Sequence, residues 1–128
     1  MHAESAAAAY RRTSASTAAP AAIEADLLRR FAAEMRAAAR SRDKDFPRFA
    51  KALSQNLRLW TVFAAEALDD RNQLPIETRA AIVSLARFVR THTQTILNGD
   101  ANADASALAE VNDNLASGLA PSTARVAS

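Results

Sequence analysis

The chain has 128 residues, of which 49% are hydrophobic and 23% charged, values that fit one globular domain with a core of its own. The absence of cysteine excludes a disulfide framework, a thiol nucleophile and a Cys-ligated zinc site, and two isolated glycines, Gly99 and Gly118, exclude a P-loop or a dinucleotide fingerprint. The net charge of +2 is split into 11 basic against 6 acidic groups over residues 1–60 and 5 against 8 over residues 61–128, a mild dipole rather than the basic stripe of a dedicated nucleic-acid binder.

Residues 1–19 are small and polar, with Tyr10 and the adjacent Arg11 and Arg12. The arginines are followed by Thr, Ser and Ala rather than by an apolar run, so the segment reads as a flexible leader and not as an export signal. No stretch approaches the roughly 18 apolar residues of a membrane span, and a cytoplasmic protein without membrane contact is expected. From Pro20 the apolar spacing turns helical, and Pro20, Pro47 and Pro75 stand where helices can begin, because proline's missing N–H costs nothing at a first helical position. The expectation is an all-α, small four-helix bundle-like domain over residues 20–119, with a flexible tail over 120–128.

The first helix is expected from Pro20 to Ser41, with Ile23, Leu27, Leu28, Phe31, Met35 and Ala38 on one side and Arg29, Arg36 and Arg40 on the other. That arginine face reads as solvated surface; its functional reading is an RNA contact, which lacks an interleaved aromatic for base stacking. The second helix, Pro47 to Leu68, spreads Phe49, Leu53, Leu57, Trp60, Phe63, Ala64 and Ala67 over a wide arc and is expected to be the central element. Asn56 falls inside that arc, so its amide must find hydrogen-bond partners, either as a tie between helices or as a polar anchor in a groove. Trp60 reads as core, with a binding role as the other possibility.

The third helix, Pro75 to Leu97, places Ile82, Leu85, Ala86, Val89 and Ile96 on the buried side, with Asn98 and Gly99 as its stop. Phe88 points about 120° from that stripe. Either another helix packs there or Phe88 is an exposed anchor for a partner. His92 reads as a helix-end residue. The fourth helix, Ala105 to Ser117, has Asp104 as its N-cap, Leu108, Val111, Leu115 and Leu119 on one side with Asn112 flanking them, and Gly118 as its stop.

No catalytic constellation emerges. His2 and His92 lie far apart, Ser54 and Ser84 have no partner histidine at a readable spacing, and the pairs Asp43/Asp45 and Asp69/Asp70 sit at helix ends. No enzyme, metal or cofactor is expected.

The stretch Asn56-Leu57-Arg58-Leu59-Trp60, then Asn72-Gln73-Leu74-Pro75, Arg79, Ile82, Ser84, Leu85, Ala86 and Val89, resembles the FlaF family of flagellar biosynthesis regulators. The closing Val111, Asn112, Asn114, Ala116, Gly118 and Leu119 and the opening Pro20, Glu24, Leu27 and Leu28 are similar to the ends of that family. Asp113 stands where the pattern has an arginine, and Ala19 precedes Pro20 where a serine or asparagine cap is usual. The resemblance implies a cytoplasmic α-proteobacterial factor needed for flagellin synthesis and export, acting as a flagellin-binding chaperone beside FlbT, a regulator of flagellin translation. Unassembled flagellin has disordered ends that become amphipathic helices on polymerisation, and an apolar helical groove would shield such a segment. Asn56, Trp60, Arg79, Phe88 and Asn112 are the candidate partner-binding residues. The alternatives are an RNA-binding regulator of flagellin translation using Arg29, Arg36, Arg40, Arg42 and Lys44, or an adaptor for another regulator.

Overall fold

A computed structural model describes residues 19–119 as four helices: α1 (Ala19–Arg40), α2 (Phe46–Leu68), α3 (Ile76–Leu97) and α4 (Ser106–Leu119). The expected leader and tail lie outside the described residues, apart from Ala19, which opens α1. The all-α expectation holds, and each expected helix is present with ends shifted by a residue or two.

The helices are adjacent in the order α1, α2, α3, α4 and back to α1, and the most extensive packing is of α1 on α4 and of α2 on α3. Small side chains permit the α1–α4 approach: Ala25, Ala32 and Ala38 on one side and Ala105, Ala109 and Ala116 on the other are buried, with Leu28, Met35 and Leu108 between them. From α2 and α3 come Phe49, Leu53, Trp60, Val89 and Ile96, which complete a single core. Leu57, Phe63, Leu85, Val111 and Leu115 pack around it while keeping some exposure.

Side chains close both ends of α2 and the start of α4. Asp45 accepts the Arg48 amide at 3.2 Å and caps α2, with Pro47 in the first turn. At the other end of α2, Asn72 Nδ2 donates to the Glu66 carbonyl at 2.8 Å, and Arg79 reaches back from α3 to the Ala67 and Asp69 carbonyls at 2.7 and 3.1 Å. Carbonyls in the last turn of a helix lack the usual backbone donors, and the side chains add to the amides of Asp69 and Asn72, which donate to the Glu66 and Asp69 carbonyls. Pro75 takes the N-cap position of α3 rather than the first helical one, with extended backbone and its carbonyl accepting the Arg79 amide.

Gly99 adopts φ +89° and lets the chain turn sharply: its amide donates to the Ile96 carbonyl at 3.0 Å and that of Asp100 to the Thr95 carbonyl at 3.3 Å, a Schellman closure. Gly118 differs from expectation. It lies within α4, which continues to Leu119, and among the described residues only Gly99 has positive φ. Asp104 accepts the Ser106 amide at 2.9 Å and also its hydroxyl, which together hold the Asp104 carboxyl below the usual carboxylate range.

Candidate partner-binding groove

Three of the five candidate residues meet in the interior. Trp60 Nε1 donates to Asn112 Oδ1 at 2.8 Å, and Asn112 Nδ2 donates to Asn56 Oδ1 at 2.8 Å and to the Leu28 carbonyl at 3.2 Å. All three side chains are fully buried. One amide thus ties α4 to α1 and α2, and this is the tie expected of Asn56. Asn112 is the correction: it occupies the centre of the α4 apolar face, not its flank, because Leu108, Ala109 and Ala116 are the buried residues around it. Its buried polar atoms are satisfied by the network, whereas Asn56 Nδ2 has no hydrogen-bond partner among the described residues.

Arg79 serves the α2 terminus as described, and Phe88 stands apart from both. Phe88 is 40% exposed and stacks on His92, with ring centroids 5.1 Å apart and 18° between planes. His92 Nε2 is held 2.9 Å from the Asp104 carbonyl, which links the end of α3 to the start of α4. No helix among the described residues covers Phe88 as the core residues are covered.

The arginine face of α1 is less uniform than its spacing suggests. Arg29 and Arg40 are exposed, but Arg36 Nη1 lies 2.8 Å from Asp113 Oδ2 on α4. Asp113 therefore supplies an inter-helix ion pair. Nearby, Arg48 forms a two-pronged pair with Glu34 at 2.9 Å for each bond, and Arg42 lies over the Phe49 ring at 4.6 Å.

The concave feature of interest opens at the end of the bundle where α1 and α3 begin and α2 and α4 finish. It is an apolar groove of about 220 Å³. Phe63 and Ala67 of α2, Leu74 of the following loop, Ile82 of α3 and Leu115 and Leu119 of α4 form its walls. Asn72 lines it beside Leu74, whose amide it accepts at 2.9 Å, so the cap of α2 also shapes the rim. Two carboxyls interrupt this apolar lining: Glu24 of α1 and Glu66 of α2. Burial, and then the neighbouring Glu66 charge, push the Glu24 carboxyl up to about 7.

None of the five candidates lines this groove. Glu24 and Glu66 are not among the candidate partner-binding residues, although the sequence carries a signal for them: Glu24 stands one turn before Leu28 on the buried stripe of α1, and Glu66 sits between Phe63 and Ala67 on the arc of α2. An acid inside an apolar face marks either a cost or a use. Several groove residues, including Glu24, Asn72, Leu74, Ile82, Gly118 and Leu119, do belong to the stretches that carry the family resemblance.

The described residues hold no cluster of three or more His, Cys, Asp or Glu that could bind a metal, and no helix among them is long and apolar enough to cross a membrane. No curated protein and no solved structure matches the chain. The family model for flagellar protein FlaF matches residues 6–119, nearly the whole chain, and the protein therefore belongs to the FlaF family of flagellar proteins.

Proposed function

We propose that this protein is a non-enzymatic flagellin-binding chaperone and regulator, which holds an amphipathic segment of unassembled flagellin in the groove at the open end of the bundle until export. The observation that carries the reading is the groove itself, a concave apolar surface framed by Phe63, Leu74, Ile82, Leu115 and Leu119 in a protein of a flagellar family. Helix-in-groove recognition needs such a surface, with few polar groups to fix register. The site of action would be the cytoplasm, where flagellin is made, and an effect on flagellin translation would follow from removing free flagellin or from contact with a FlbT-like regulator.

Of the basic residues that the RNA reading would use, Arg36 is paired with Asp113 and Arg42 lies over the Phe49 ring, which favours a protein partner over RNA. The test is direct binding of purified flagellin and, separately, of the flagellin mRNA leader at low and high salt. Flagellin should bind at both salt concentrations and lose affinity with Leu74→Ser, at helix content equal to wild type. Binding of the RNA alone, falling steeply with salt, would overturn the reading.

A further inference from the structure

Glu24 and Glu66 are the ionisable side chains in the groove lining, and neither has a cation partner among the described residues, although arginines elsewhere on the protein are paired. Thr78, Asn72 and the apolar walls contributed by α2, α3 and α4 bring no positive charge to them. An acidic pair set into an apolar wall costs stability and does nothing for packing. The free space, about 220 Å³, is below the roughly 300–1,000 Å³ of a small-molecule site and suits a few side chains projecting from a helix.

We propose that the groove selects an amphipathic helix bearing one arginine or lysine within its apolar face, the cation seating against Glu24 and Glu66 while the flanking aliphatic side chains meet Phe63, Ile82 and Leu119. This deepens the flagellin reading and rests on it for the identity of the partner, though not for the chemistry of the groove. Charge complementarity sets the occupant: a purely aliphatic helix would leave both acids desolvated and unpaired, whereas a cation restores the charged form of Glu24 that burial disfavours. Long basic side chains suit the place, because their methylene stems lie along apolar surface while the head reaches the carboxylates.

The experiment uses the full chain and two designed 18-residue helical peptides, acetylated and amidated, with a Leu/Ala face and a Gln/Ser face, differing only in Arg or Gln at the centre of the apolar face. At pH 8 the Arg peptide should bind at least roughly tenfold more tightly, and Glu24→Gln, checked for unchanged helix content, should remove most of the difference. Glu66→Gln should reduce it. Equal affinities, no binding of either peptide, or a preference that survives both substitutions together would overturn the proposal. So would a shift in oligomeric state caused by Glu24→Gln without peptide discrimination, which would assign the groove to a second copy of the chain. Purified flagellin is titrated in parallel. Discrimination between peptides without flagellin binding leaves the groove chemistry standing and removes the flagellin reading, while flagellin binding that is indifferent to Glu24→Gln and Glu66→Gln, with undiscriminated peptides, does the reverse.

Discussion

Trp60 and Asn112 are joined by a 2.8 Å hydrogen bond across the core although the helices that carry them, α2 and α4, do not pack backbone against backbone. The bond spans the diagonal of the bundle, and Asn112 passes the connection on to Asn56 and to the Leu28 carbonyl.

Removal of the hub should therefore cost more than removal of a branch. Asn112→Ala leaves the Trp60 Nε1, the Asn56 Oδ1 and a cavity unfilled, and we expect a loss of about 3–4 kcal/mol. Asn56→Ala, which leaves Asn112 two of its three bonds, should cost about 1–2 kcal/mol, and Trp60→Ala about 3–5 kcal/mol. Urea denaturation of the three variants gives the order, and an Asn56→Ala cost above that of Asn112→Ala would refute the hub assignment.

Arg79 is expected to act through α2 rather than on a partner. Arg79→Gln gives up the bonds to the Ala67 and Asp69 carbonyls and should cost about 1–2 kcal/mol. Arg79→Lys should restore only part, because an ammonium cannot reproduce the fork. Hydrogen exchange should quicken in the last turn of α2 in both variants, and unchanged protection there would count against the cap.

The raised pKa of Glu24 fixes a sign for pH dependence. Its folded value, about 7, lies above the ordinary 4.5, so the folded state binds the proton more tightly than the unfolded chain does. The stability this gives is full below pH 4.5 and is lost as pH rises through about 7. Glu24→Gln should thus be near neutral at pH 4 and more stable than wild type at pH 8, by at most about 2 kcal/mol given the solvent the carboxyl retains. Melting curves at the two pH values provide the comparison, and a variant destabilised at pH 8 would contradict it.

The two glycines should respond in opposite directions. Gly99→Ala forces a Cβ into φ +89° and should cost about 1 kcal/mol. Gly118 is helical with nothing among the described residues within 4 Å of an added Cβ, so Gly118→Ala should be neutral or stabilising by up to about 1 kcal/mol. Thermal melts of the pair distinguish a stop from a helical position.

Phe88→Ala removes an exposed ring stacked on His92 and should change stability by less than about 1 kcal/mol. Since Phe88 lies outside the groove lining, flagellin affinity should stay within about twofold of wild type. A loss of roughly thirtyfold, the size of an interface hot spot, would move the binding surface to the outer face of α3.

The sequence alone specifies the helices. Apolar spacing near 3.6, proline at three starts and Gly99 at one end are local signals, and the observed helices follow them because backbone hydrogen bonding within a helix depends on near neighbours alone. It also marked Asn56 as an amide in need of partners and supplied the residues of the family resemblance. What those residues do depends on contacts between elements far apart in the chain. That Asn112 is a hub depends on α4 crossing opposite Trp60, 52 residues away in the chain; that Arg79 caps α2 depends on the turn through Asn72. Gly118 looked like a stop because glycine tolerates a turn, yet tolerance does not impose one. The groove was least legible of all, since its walls come from the ends of four helices and no single periodicity describes a surface that exists only where they converge.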